Sequence, residues 1–102
     1  MRRTDIGLLY DPARSAERHL AKQLQAALSA GTGLRVHRNQ PYRGVADGHT
    51  TGLRRHFDEH VYAGLELEIS QALVQGPAWP GLSTTLTALV ANGVRSQWID
   101  AR

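Results

Sequence analysis

Apolar residues recur along the chain in two alternating rhythms, short runs or period-two stretches followed by longer segments with three- and four-residue spacing. The run Ile6-Gly7-Leu8-Leu9-Tyr10 ends at Asp11-Pro12, where Asp can cap a helix and Pro suits the first helical position. A buried strand leading into a helix is predicted. Ala16, Leu20, Leu24, Ala27 and Leu28 then follow helical spacing, with Glu17, Arg18, Lys22 and Gln25 assigned to the opposite side. Gly31 and Gly33 are expected to end this helix, because glycine accepts left-handed backbone angles without a steric penalty.

Leu34-Arg35-Val36-His37 alternates apolar and polar side chains and reads as a short strand. Asn39-Gln40-Pro41-Tyr42 turns the chain away, and Arg43 to Thr51 forms a polar loop. Thr50 or Thr51 is placed to cap a short helix over Gly52 to His60. From Val61 to Ser70, Leu65, Leu67 and Ile69 alternate with Glu66, Glu68 and Ser70, the period-two signature of a strand with one apolar and one polar face. Gln75 to Gly81, rich in Gly and Pro, reads as a connection to a terminal helix carrying Leu86, Leu89, Val90, Val94 and Trp98, with Asn92-Gly93 as a weak point. The alternation of strand and helix predicts an α/β fold, a partial mixed sheet with flanking helices, in a single domain over residues 1–102.

Charge and composition narrow the function classes. The formal charge of +3 comes almost entirely from arginine, Lys22 being the only lysine, and the basic residues scatter from Arg2 to Arg102 without a cluster. A nucleic-acid footprint gathers its cations on one face or helix, so such binding is not expected. The absence of cysteine excludes disulfides and leaves His, Asp and Glu as the only strong metal ligands. No stretch approaches the ~20 apolar residues of a membrane span, and the run at residues 6–10 is too short for a signal-peptide core, so a cytoplasmic protein is the default expectation.

Glu66 and Glu68 on one strand face admit two readings, a solvated face or the wall of a polar cleft; the first is the simpler, because unpaired carboxylates are excluded from interiors. His56-Phe57-Asp58-Glu59-His60 matches H-x-x-E-H, a spacing that places two zinc ligands on one helix face in some proteases. A third ligand is needed, and the downstream carboxylates are only Glu66, Glu68 and Asp100. His19 and His37 read as surface or packing residues. The serines lack a strand-to-helix elbow, and the glycines form no phosphate-binding signature.

Taken in order, Asp5-Ile6-Gly7-Leu8-Leu9-Tyr10-Asp11, Asn39-Gln40-Pro41-Tyr42, His56 and Leu67-Glu68-Ile69 resemble landmarks of the N-formylglutamate amidohydrolase family. The resemblance covers about Asp5 to Val74 and implies the C-terminal part of a zinc-carboxypeptidase-like hydrolase fold. It implies hydrolysis of a C–N amide bond in a small N-acyl amino acid. Glu68 would be the catalytic base, with Asn39, His56 and Glu66 as polar neighbours of the cleft. Arg43 and Arg55 are candidates to pair with a substrate carboxylate, which guanidinium binds in a bidentate way.

The same resemblance implies zinc, yet the family's ligands would lie ahead of Met1, so no metal ligand is assigned. Ser70 and Ala72 also stand where many members carry Arg and Asp. The expectation is a truncated or split form lacking the metal-binding part and inactive alone, completed by an N-terminal segment or complementing chain. The alternative is a noncatalytic binding or assembly module, possible as a homo-oligomer, that pairs through its open sheet edge.

Overall fold

A computed structural model describes residues 4–39, 49–58 and 62–97, with the side chain of His49 left out. The elements are β1 (Ile6–Leu9), α1 (Ser15–Thr32), β2 (Val36–Arg38), α2 (His49–His56), β3 (Glu66–Ile69), α3 (Gln71–Val74) and α4 (Trp79–Arg95). They form a small α/β fold whose three-stranded mixed sheet has the order β2-β1-β3. β1 runs parallel to β2, through the α1 crossover that parallel strands require, and antiparallel to β3.

The central strand is buried along its whole length, as its unbroken apolar run predicts. Ile6 and Leu8 point to one face of the sheet and meet Leu20, Leu24 and Leu28 of α1, Val36 of β2 and Leu86 of α4. Full burial of each such aliphatic side chain contributes about 1.5–3 kcal/mol. Leu67 and Ile69 of β3 pack beside this core but stay half-buried, while Glu66 and Glu68 are exposed on the other face. The alternation seen in the sequence is therefore real, although the strand is shorter than residues 61–70.

Several element boundaries differ from expectation for local reasons. Asp11 does not cap α1. Its carboxylate accepts the Ala13 N–H at 2.9 Å and its carbonyl accepts the Arg14 N–H at 3.0 Å, so Asp11-Pro12 forms a turn and the helix starts at Ser15. Gly31 lies inside the helix, and Gly33 alone takes the left-handed cap at φ 72°, donating its N–H to the Ser29 carbonyl. Thr50 and Thr51 are within α2, which ends at His56, whereas Glu59 and His60 lie outside the described residues. The expected connection 75–81 is shorter: α3 precedes it, and Trp79-Pro80-Gly81 are the first residues of α4, where proline's missing N–H has no helical acceptor to lose. Asn92-Gly93 does not split α4; Trp98 lies outside the described residues.

Two helical glycines explain how α1 and α4 approach. A methyl group on Gly93 would stand 2.5 Å from Leu24 Cδ2, and one on Gly31 would stand 2.8 Å from Leu89 Cδ1. Each helix thus seats a leucine in the other's glycine notch, in antiparallel register. Alanine gains about 1 kcal/mol in helix propensity over glycine, while overpacking a core costs about 1–3 kcal/mol. Leu24 is 1% exposed and hemmed in, whereas Leu89 is only half-buried. Gly93→Ala is therefore expected to destabilise the fold by roughly 1–2 kcal/mol net and Gly31→Ala to be close to neutral. Urea unfolding of both variants tests this, and a Gly93→Ala protein as stable as Gly31→Ala would refute it.

Candidate functional site

A heavily bonded side chain is one that the sequence pattern placed on the solvent side. Glu17 is fully buried. It sits three, four, seven and eleven residues before Leu20, Ala21, Leu24 and Leu28, on the apolar stripe of α1 itself. Its Oε1 accepts the Asp11 N–H at 2.9 Å, and its Oε2 accepts the Gly64 N–H at 2.9 Å. Arg54 of α2 forks onto both oxygens, Nη2 to Oε1 at 2.7 Å and Nε to Oε2 at 2.9 Å. The same Arg54 Nη2 reaches the Gly64 carbonyl at 2.9 Å.

Arg14 extends this cluster. Its Nε lies 3.3 Å from Glu17 Oε2, and its Nη2 donates to the carbonyls of Phe57 at 3.0 Å and Tyr62 at 2.9 Å. Gly64 is closely packed at the centre, where a Cβ would displace the Tyr62 hydroxyl and lie 3.0 Å from Thr50 Cγ2. Burial works against the Arg54 charge, but the Glu17 hydrogen bonds and charge outweigh it and hold the guanidinium above its ordinary pKa. A raised cationic pKa gives stability that is full below the unfolded value and is lost as pH rises through the folded one. The arginine side of the pair is thus insensitive to pH below the strongly alkaline range. With every oxygen engaged by donors, Glu17 joins elements and has no free lone pair positioned for a substrate.

Of the sequence-predicted site residues, Glu66 and Glu68 project from the face of β3 opposite Leu67 and Ile69. Glu68 stands opposite Gly7, and Gly7 stands opposite His37, so carboxylate, glycine and imidazole form one row across the three strands. Two strand spacings put the backbones of Glu68 and His37 roughly 10 Å apart. His37 uses Nδ1 in a 2.7 Å hydrogen bond with Thr4 Oγ1. Glu66 is exposed and accepts the Thr50 hydroxyl at 3.1 Å, which ties β3 to α2.

Asn39 serves the backbone. It adopts φ 53°, gives its N–H to the Leu8 carbonyl at 2.8 Å and accepts the Tyr10 N–H on Oδ1 at 3.0 Å, fixing the exits of β1 and β2. Arg55 and His56 are exposed at the end of α2, and among the described residues no hydrogen bond or ion pair joins either to Glu68. Arg43 lies outside the described residues. The residues described do not fit a zinc ion, since no three His, Asp or Glu side chains among them converge as ligands. Among them, too, no helix is long and apolar enough to cross a membrane.

On the core face, beside β3, Leu67, Ile69, Trp79, Leu86, Val90 and Ala91 line an open, apolar groove of about 460 Å³. Among the described residues β3 has a neighbour on one side only. The Ser70 N–H bonds to the Asp5 carbonyl at 2.9 Å, so with the antiparallel register the backbone groups of Glu66 and Glu68 face β1 and those of Leu67 and Ile69 face outward. The opposite edge is blunted: Gln25 Nε2 occupies the outward carbonyl of Val36 at 2.8 Å. Comparison with family models, curated proteins and solved structures gives no match.

Removing one partner of a buried, hydrogen-bonded ion pair typically costs about 3–5 kcal/mol. Glu17→Gln and Arg54→Met should each lose stability of that order, and the double variant should lose less than the sum of the two. A double-mutant cycle by urea denaturation measures this. Additive effects, or single losses under about 1 kcal/mol, would remove the cluster from its central place.

Proposed function

We propose that the chain is a sheet-pairing part of an N-formylglutamate amidohydrolase-like assembly, receiving a further strand on its β3 edge and contributing Glu68 as a base. The observation that carries the reading is the state of β3. This strand combines an outward-facing ladder edge, an apolar groove beneath it and two exposed carboxylates above it. An edge with no second neighbour among the described residues is a template for another strand. The ordered landmarks from Asp5 to Glu68 support the family reading, and the exposure of Glu68 leaves it accessible to a water molecule that a base must reach.

On this reading Glu68 takes the proton from a water attacking an amide carbonyl. His37, in the same row, contributes polarity to that face. Asn39 acts through the backbone it fixes, and Arg55 and His56 are available at the α2 terminus for an anionic substrate. On this reading the metal-binding part comes from the partner, so the chain by itself is expected to hydrolyse little or nothing.

The test is to co-express the full chain with the metal-binding half of an N-formylglutamate amidohydrolase as a separate polypeptide. Co-elution and hydrolysis of N-formylglutamate are expected. Glu68→Gln should lower the rate by about 10²–10⁴-fold, the usual contribution of a general base. An unchanged rate in the variant would remove the base assignment, co-elution without hydrolysis would leave only a pairing module, and failure to associate would overturn the reading.

A further inference from the structure

Resting on the reading of β3 as a pairing edge, we infer that its partner is a strand of alternating apolar and basic residues from another polypeptide, not a second copy of this chain. The charge pattern selects it. Directly paired residues on neighbouring strands project to the same face. A strand added beside β3 therefore sets one series of side chains next to Glu66 and Glu68 and the other next to Leu67 and Ile69, over the groove. Lysine or arginine in the first series and large aliphatic residues in the second satisfy both faces.

A second copy supplies the apolar series but not the basic one. Two β3 strands aligned antiparallel and in phase with their pleats bring Glu66 or Glu68 opposite a glutamate of the other copy in the overlapping registers, and like charges directly opposed are destabilising. β2 carries His37 and Arg38 after Val36, but it is already paired with β1 and its outer edge is occupied by the Gln25 amide at Val36. Charge complementarity and the blunted β2 edge thus point to a foreign strand.

Two seven-residue peptides test this against the full chain, one alternating valine or isoleucine with lysine or arginine, the other carrying glutamate at each basic position. Amide hydrogen exchange at Leu67 and Ile69 reports edge pairing, and chemical shifts of Trp79 report filling of the groove. The basic peptide is expected to protect both amides and to bind at least tenfold more tightly than the acidic one. A chain carrying both Glu66→Lys and Glu68→Lys should reverse the preference. Equal protection by both peptides would overturn the partner chemistry while leaving the pairing edge intact. Protection by neither would overturn the edge itself, and protection of Leu67 and Ile69 by self-association without peptide would overturn the choice of a foreign strand.

Discussion

The buried carboxylate of Glu17 is the constraint on which the arrangement of elements depends. A charge taken out of water must be met by donors from every side or it destabilises the fold. Here the donors come from the turn after β1, from α2 and from the approach to β3, through Asp11, Arg54 and Gly64, and the Arg14 guanidinium just ahead of α1 adds its charge at 3.3 Å. Arg54 and Gly64 are distant from Glu17 in sequence, at 37 and 47 residues. One carboxylate therefore sets where α2 lies and where the chain enters β3. The order and exposure of Glu66 and Glu68 follow from that placement, with Thr50 of α2 reaching Glu66 as a second tie.

The sheet then divides its two margins between protection and availability. At β2 the side chain of Gln25, reaching from α1, takes an outward carbonyl that would otherwise accept a strand. At β3 no described residue does the same, and the helix that should close the core beneath it leaves a groove instead. α4 is held toward α1 by the leucine-in-glycine contacts at Gly93 and Gly31. That close approach on one side of α4 leaves its Trp79, Val90 and Ala91 facing the space beside Leu67 and Ile69.

The α/β architecture was legible in the sequence wherever one periodicity dominated. The apolar run of β1, the stripe of α1 and the alternation of β3 all correspond to elements at nearly the expected places. Boundaries failed where a short polar side chain had two possible uses. Asp11 bonds locally as a turn residue instead of capping, and Thr50 turns its hydroxyl to Glu66 from inside α2. Glu17 was misplaced because hydropathy treats a carboxylate as solvent-facing, although its spacing to Leu20, Leu24 and Leu28 put it on the buried stripe. The arginines that neutralise it, Arg14 and Arg54, are anonymous in a chain with eleven arginines scattered along its length. Gly31 and Gly93 looked like helix breakers because their close contacts lie across a helix pair that one-dimensional spacing does not reveal.

For the candidate site the sequence offered residues but not their arrangement. Sequence spacing correctly gave Glu66 and Glu68 a common face, but it did not bring Asn39, Arg55 or His56 into bonding contact with Glu68. Asn39 instead uses its side chain to hold the strand exits. What the structure adds is the register that places His37, Gly7 and Glu68 in one row and turns the backbone of Leu67 and Ile69 outward. A carboxylate on an edge strand has a different prospect from one on a central strand, because the next strand to pair there changes its solvent, its neighbours and its charge environment. If a strand joins the sheet at β3 as proposed, it sets the chemistry open to Glu68, and the question of activity and the question of partner then reduce to the same four residues, Glu66 to Ile69.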